Sequence, residues 1–417
     1  MPYIERFADV ELQDRLSYAG AVLIEGPKFC GKTETATRAA ASTVRFDVDE
    51  SVADKMAIDP SIVLDGPTPR LLDEWQLHPQ IWNYVRRRVD DTKGKGSFIL
   101  TGSANPQEDE KMHSGAGRIS RMRMRTLSWH ELGYSTGQVS LAELLQGAPP
   151  QGGDVQVDIP GIAEKIARGG WPENARATTR NALKMVRDYV DLIAEVDLSR
   201  ATGGRRRDPA KVQALLKSIA RNTATDASIE TLTKDAKQES TTFDRNTTTA
   251  YLDALERLMI VDDLPAFNAT LRSSATLRMT PKRHFTDPSL AVGALGEDID
   301  WLVRDLKYLG FLFESLVVHN LRVYADAIDA QVYFYRDSTG QEVDAIVQKR
   351  NGDWAAFEVK LGYGAADAGA QSLLNFVNKI DTKLTPRPKS LTVVTGSGFA
   401  HQRADGVNVV PLGILGA

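Results

Sequence analysis

Residues 26–33 read Gly-Pro-Lys-Phe-Cys-Gly-Lys-Thr, the spacing of a phosphate-binding loop, G-x-x-x-x-G-K-[ST]. The loop follows an apolar run, AVLIE at 21–25, and precedes ETATRAAA, an Ala-rich helix former. Glycines let successive backbone N–H groups turn inward on a β-phosphate, and the helix N-terminus adds a partial positive charge. Lys32 would reach the β- and γ-phosphates and Thr33 would offer its hydroxyl to Mg²⁺. The nucleotide-binding set expected here is Gly26, Pro27, Lys28, Phe29, Cys30, Gly31, Lys32, Thr33 and Glu34. Cys30 reads most simply as an incidental loop residue whose thiol, at a helix N-terminus, would be mildly reactive. The competing account is a chance glycine loop, and the order strand, loop, helix argues against it.

Such a loop needs an acidic pair at the end of another strand. Leu71-Leu72-Asp73-Glu74 offers one: Asp73 would hold Mg²⁺ through water, and Glu74 would be the catalytic base for ATP hydrolysis. Asp47 and Asp49 are the competing pair, or else cap the following helix. At the end of SFILTGSAN, Thr101, Ser103 and Asn105 are suited to orient water or sense a γ-phosphate, with Ser103 taken as the catalytic candidate. Arg118 is a candidate arginine finger or sensor, acting on a neighbour or within its own chain, or else a packing residue. Arg121, Arg123 and Arg125 alternate as strand residues do and read as a solvated basic strand or a nucleic-acid-facing ridge.

A second constellation lies near the C-terminus. Glu314 falls on a helix, Asp344 precedes the apolar AIV, and Glu358-Val359-Lys360 ends a strand. A PD-(D/E)xK-type nuclease needs this kit, because side chains two apart on a strand share a face. Asp344 and Glu358 would be metal ligands, Lys360 would activate water, and Glu314 would support the metal from its helix. The six histidines show no metal-ligand spacing, and no nucleophile-elbow motif supports a Ser-His-Asp triad.

These residues need elements to hold them, and the length of 417 residues allows about three domains. Hydrophobic residues at 42% and charged residues at 25% are those of a globular protein, neither disordered nor fibrous. The net charge of -4 excludes a polycation that coats nucleic acid, leaving only local basic patches. A single cysteine excludes an intramolecular disulfide and a Cys-based zinc site, and points to a reducing cytoplasm. The sequence has no apolar run of membrane-spanning length.

Residues 1–155 alternate strand-like and helix-like runs, the rhythm of a parallel sheet with helices on both faces. A Gly/Pro/Gln-rich stretch at 140–160 reads as a linker, followed by a helical lid at 156–204 with a Gly169-Gly170-Trp171-Pro172 break. Three helices and an extended segment at 205–295 suggest a winged helix-turn-helix. Its recognition helix would run from Thr242 to Arg257, with Thr247, Thr248 and Thr249 exposed and Leu252, Leu255 and Leu258 inward. Acidic residues on that helix and the alternative use of winged helices as protein-binding modules leave its partner open. Arg205, Arg206 and Arg207 are phosphate contacts or a solvated linker. Residues 296–417 form a compact α/β unit.

The order GPKFCGKT, LLDEWQ, FILTGSAN, GAGRI, LSWHELG, GGWPE, HFTDPSLA, GFLFESLV, YFYRDSTGQEVDAIV and FEVKLG resembles the bacterial and archaeal AAA+ ATPases that carry a C-terminal domain of unknown function. The resemblance covers nearly the whole chain. Where that family usually shows Leu-Asp-Glu-Ile-Gln, this chain has Leu72-Asp73-Glu74-Trp75-Gln76. The resemblance implies a nucleotide-binding core, a winged helix and a restriction-endonuclease-like end, and a function that couples ATP and Mg²⁺ binding to these parts. DNA is one expected partner and a homo-oligomer or protein partner another. A nucleotide-gated switch without nuclease activity is the alternative.

Overall fold

In the computed structural model, the residues described are 3–102, 115–198, 208–239, 243–268, 280–381 and 383–417, and they divide into two compact units. Of these, the first unit holds those within 1–126, with 198 and 254–260, and the second holds the remainder. Residues 127–155, read in the sequence with the first domain, therefore belong to the second unit.

The first unit is built on five parallel strands in the order β2-β3-β4-β1-β5. In chain order the elements are α1 (Phe7–Tyr18), β1 (Ala21–Glu25), α2 (Lys32–Ala39), β2 (Ser42–Arg45), α3 (Ser51–Ile58), β3 (Arg70–Asp73), α4 (Ile81–Thr92), β4 (Phe98–Gly102) and β5 (Ile119–Arg123). Both faces are covered, so β1 alternates between two cores. Ala21 and Leu23 join Leu72, Trp75, Trp82, Phe98 and Leu100 on one side. Val22 and Ile24 join Leu12, Leu16, Cys30, Leu71, Ile99 and Met122 on the other. A strand buried on both faces must be continuously apolar, which is why AVLIE and FILTG carry no alternation. The chain leaves β1 toward β2 at one edge and returns past it to β5 at the other, so the strand order reverses at β1. Ligands of open parallel sheets sit at the carboxyl ends of the strands at such a reversal.

The second unit begins with the short β6 (Val139–Ser140), α5 (Leu141–Leu144) and β7 (Asp154–Val155). Helices α6 (Ile159–Arg168) and α7 (Thr179–Leu192) follow, each started by a side-chain cap: Asp158 accepts from the Gly161 N–H and Thr178 from the Asn181 N–H. The break between them is a junction. Leu127 N–H donates to the Gly170 carbonyl at 2.7 Å, Gly170 N–H to Asp287 Oδ2 at 2.8 Å, and Trp171 Nε1 to Ser289 Oγ at 3.0 Å. A Cβ on Gly170 would lie 2.2 Å from the Leu127 carbonyl oxygen, so no other residue fits. The sequence landmarks LSWHELG, GGWPE and HFTDPSLA thus meet as packing partners.

Helices α8 (Pro209–Arg221), α9 (Ile229–Ala236) and α10 (Arg245–Arg257) come next, the last turn of α10 being counted with the first unit. They are followed by antiparallel bridges, Val261 to Phe285 and Leu264 to Lys282. Leu252, Leu255 and Leu258 are buried as expected, but Thr248 is buried too, because its hydroxyl bonds to that of Thr233 at 2.7 Å. The exposed threonine turn therefore loses its middle member. Thr242 and Arg205 to Arg207 lie outside the described residues.

Helices α11 (Ser289–Leu295), α12 (Ile299–Arg304) and α13 (Leu306–Ala327) lead into β8 (Ala330–Arg336), β9 (Glu342–Lys349), β10 (Trp354–Lys360), α14 (Ala366–Lys379), β11 (Leu391–Thr395), β12 (Gly398–Phe399), β13 (His401–Gln402), β14 (Asn408–Pro411) and β15 (Leu415–Gly416). Six of these strands form a mixed sheet in the order β13-β14-β11-β10-β9-β8. β8, β9 and β10 are antiparallel neighbours, whereas β10 and β11 run parallel and are joined through α14. The core under α14 holds Tyr335, Ile346, Trp354, Leu373, Phe376 and Val393. Among the described residues no helix is long and apolar enough to cross a membrane.

Candidate functional site

The phosphate loop sits at the carboxyl end of β1, the position that the strand reversal selects. Gly26 is enforced by packing, since a Cβ there would lie 2.2 Å from the Met124 carbonyl oxygen. Gly31 caps α2 with φ 101°, a conformation open to glycine and strained for other residues. Phe29, at the exposed turn of the loop, also has positive φ, 61°. Lys32 is buried and its ammonium donates to the carbonyls of Gly26 at 2.8 Å and Pro27 at 2.7 Å, so the cation lies inside the turn of the loop. Glu34 is exposed on the first turn of α2.

Cys30 differs from its expected character. Its side chain is fully buried in the core beneath the loop, with Sγ 3.7 Å from the Met124 carbonyl oxygen, so the thiol is not presented for reaction. Only its backbone faces the loop's work. The Cys30 carbonyl accepts from Arg6 Nη1 at 3.0 Å, and Arg6 Nη2 donates to the Arg125 carbonyl at 2.8 Å. Arg6, itself buried, thereby ties the loop to the segment after β5. A lone arginine near the start of a chain carries no sequence signal for such a role.

At the end of β3, Asp73 is buried and Oδ1 accepts from two hydroxyls, Thr33 at 2.9 Å and Thr101 at 2.5 Å. Parallel pairing of Asp73 with Thr101 sets this register. A hydroxyl and a carboxylate in contact at the mouth of a phosphate loop are a hard-oxygen donor set of the kind Mg²⁺ takes, and they fit that ion. Glu74 follows in the left-handed region, φ 56° and ψ 39°. Its carboxylate accepts from Gln76 Nε2, and the Gln76 amide packs against Gly102 at the end of β4. Asp49 Oδ1 accepts from the Ser51 N–H and hydroxyl beside the start of α3, whose N-cap residue is Glu50.

Arg118 is not brought to the loop. It precedes β5, at the opposite end of the sheet from residues 26–33, and pairs with Asp90 at 2.7 Å. Five strand residues, on the order of 16 Å at the usual rise, separate the two ends. This placement sets Arg118 apart from its own chain's loop, and its ion pair with Asp90 is what a packing role requires; a role toward a neighbouring copy is the other alternative. Ser103 and Asn105 fall outside the described residues.

The terminal carboxylates do converge. Pairing of Ala345 with Phe357 brings Asp344 beside Glu358, and the Val359 N–H donates to Asp344 Oδ2 at 2.8 Å. Glu342 and Asp344 share one face of β9, and Glu358 and Lys360 share one face of β10, by the period of two. Lys360 Nζ donates to Glu358 Oε1 at 2.9 Å, while Glu358 Oε2 is buried without a hydrogen-bond partner. Glu314 reaches the group from α13, and all five line a cavity of about 880 Å³ with Arg336, Gln341 and Lys379. Burial, and then the charge of Asp344, push the carboxyls of Glu314 and Glu358 well above the usual range.

Two further members complete the group, Glu342 and Lys282. Glu342 was readable as the partner of Asp344 two residues away. Lys282, far upstream in the extended segment after α10, was not. Its side chain is almost wholly buried, and Nζ lies 2.6 Å from Glu314, 2.5 Å from Glu342 and 3.5 Å from Asp344. Burial alone would depress this lysine, but the carboxylates of Glu314, Asp344 and Glu342 hold it above its ordinary range. The oxygens of Glu314, Glu342 and Asp344 all lie within 4.8 Å of one another, close enough to share one cation. The ammonium already fills that position, so with Lys282 in place these residues do not fit a divalent metal.

A search of curated proteins gives no match to the chain. Residues 19–133 match a family model described as an AAA domain. Residues 160–299 and 309–415 match two described as domains of unknown function, DUF8612 and DUF4143. Among solved structures, a Walker-type ATPase of Pyrococcus abyssi is similar at 12% identity and a TM-score of 0.42, over 70% of this chain and 96% of that one. The S. cerevisiae Hsp104–ADP complex is similar at 11% identity and a TM-score of 0.26, over 79% of this chain and 43% of that one. Over residues 19–133, then, the chain is similar to an AAA domain.

Proposed function

We propose that the first unit binds ATP with Mg²⁺ and hydrolyses it, and that nucleotide state is coupled to the second unit. The observation that carries this reading is the contact of Thr33 with Asp73 at the mouth of the loop that holds Lys32. Mg²⁺, when bound, neutralises charge on the β- and γ-phosphate oxygens. Thr33 and Asp73 would hold it. Lys32 would exchange its two carbonyl partners for phosphate oxygens, a trade of neutral acceptors for charged ones. Glu74 would accept the proton of the attacking water, held in place by Gln76, and Thr101 would fix the orientation of Asp73.

Titration with labelled ATP tests the assignment. Lys32→Ala should weaken binding by at least about a hundredfold, on the scale of losing one charged, buried phosphate partner. Unchanged affinity would sink the reading. Glu74→Gln should bind ATP normally and release little phosphate.

For the second unit, the order of three helices and antiparallel bridges supports a winged helix, and the mixed sheet with Asp344, Glu358 and Lys360 supports a nuclease-like domain. Lys282 among the carboxylates favours the version of the coupling in which this domain does not cleave DNA and the protein acts as a nucleotide-gated switch. A plasmid-nicking assay with Mg²⁺, comparing the native chain with Asp344→Ala and Lys360→Ala, decides between the two versions. Nicking that both substitutions abolish would establish cleavage and overturn the switch.

A further inference from the structure

The side chain of Lys282 is held by more than its charge. Its backbone is clamped in the antiparallel bridge, with Lys282 N–H donating to the Leu264 carbonyl at 3.0 Å and Leu264 N–H to the Lys282 carbonyl at 2.9 Å. Its stem is enclosed, only 1% exposed, and Nζ lies 5.9 Å from the centre of the Phe334 ring. An ammonium on a fixed strand, sealed from water and surrounded by carboxylates of α13 and β9, occupies the point where a cation bound by Glu314, Glu342 and Asp344 would sit. Such groups are stable together only while each charge has its counter-charge, because burial penalises every unpaired ion. Glu358 Oε2, buried and unpartnered on the same cavity wall, marks acceptor capacity in this cavity beyond what the lysines satisfy.

We propose that Lys282 is a built-in cation that takes the place of a divalent metal, so that the terminal cavity keeps a carboxylate constellation closed to metal, and that removing the lysine's charge opens a divalent-cation site made by Glu314, Glu342 and Asp344. The inference concerns this cavity alone. It stands or falls apart from ATP binding, which the Lys32→Ala titration tests in the other unit.

The probe is Mn²⁺, followed by electron paramagnetic resonance of the free ion, on the full chain without nucleotide. The Asp73→Asn background removes the phosphate-loop carboxylate that would itself take the ion. With Lys282 in place, 1 mM Mn²⁺ should leave this cavity unloaded. Lys282→Met, which keeps the length of the stem and removes the charge, should bind one Mn²⁺ per chain at least tenfold more tightly, and adding Asp344→Asn should abolish the gain. Melting gives a second readout: Lys282→Met should be less stable than the parent in EDTA and recover with Mn²⁺, whereas the parent should not respond. If Lys282→Met fails to fold, Lys282→Met with Glu314→Gln removes the ammonium together with the carboxyl it donates to and should still bind Mn²⁺ more tightly than the parent. Mn²⁺ binding by the lysine-containing chain that Asp344→Asn abolishes overturns the proposal, and this arm needs no Lys282 variant to fold. So does a folded Lys282 variant that binds no more tightly than its parent.

Discussion

Gly102→Ala separates the placing of Glu74 from its charge. An added Cβ at Gly102 would stand 2.3 Å from Gln76 Oε1, 3.1 Å from Gln76 Cδ and 3.3 Å from Trp75 Nε1. Ordinary van der Waals separation begins near 3.4 Å, so the Gln76 amide must retreat by roughly 1 Å. That amide is the end of a flexible side chain, and its retreat costs little stability, about 1 kcal/mol or less. Its nitrogen, however, is the donor that holds the Glu74 carboxylate. A displacement of about 1 Å in a reacting group costs on the order of a hundredfold in rate, or roughly 2.7 kcal/mol of barrier. Lys32, Thr33 and Asp73 are untouched, so nucleotide affinity should stay within about twofold of the parent, a change of some 0.4 kcal/mol. Steady-state phosphate release and an ATP titration measure the two quantities independently. Gln76→Ala should reproduce the loss, and the double variant should be no worse than either single one, because both act through one hydrogen bond. Full turnover in Gly102→Ala, or a loss of affinity as large as the loss of turnover, would refute the reasoning.

The raised carboxyl of Glu314 gives a pH dependence of known sign. Its folded value, pushed up to about 8 from an ordinary 4.5, means that the native state keeps a proton which the unfolded chain releases. The stabilisation is present below about pH 4.5 and is lost as pH rises through 8, at no more than about 1.4 kcal/mol per pH unit. Glu314→Gln cannot titrate, so its melting temperature relative to the parent should climb between pH 5 and pH 8; a constant difference would refute the assignment. Cys30 should resist a thiol reagent such as DTNB in the folded protein and react at once in denaturant, and fast labelling of the native chain would place its sulfur elsewhere.

Much of the first unit was legible because its signals are local. AVLIE is β1 residue for residue, and the loop after it needs only consecutive residues to declare itself. Asp73 was found by the same logic, as an acid closing an apolar strand. What escaped depends on contacts between distant segments. Arg6 meets Cys30 and Arg125 through a backbone hydrogen-bond geometry that no spacing encodes. Arg118 was placed by motif order, yet strand direction decides which end of the sheet an arginine reaches. Thr248 reads as exposed with its neighbours in the sequence because three consecutive threonines look alike until Thr233 comes to meet one of them. In the terminal cavity, the period of two made Asp344, Glu358 and Lys360 visible. Lys282 stands 32 residues from Glu314, its hydrogen-bond partner, with nothing nearby to distinguish it from a surface lysine.

Glu74 holds a left-handed backbone, φ 56° and ψ 39°, that glycine or asparagine would adopt with less cost. The position therefore stores roughly 1 kcal/mol or more of conformational energy in the residue proposed above as the catalytic base. Selection for durability alone would exchange it for glycine and leave a sturdier protein with no acid there. With Glu74 as the proposed base, endurance and activity pull in opposite directions at this point, and substitutions that harden this chain are expected to gather away from residues 73–76.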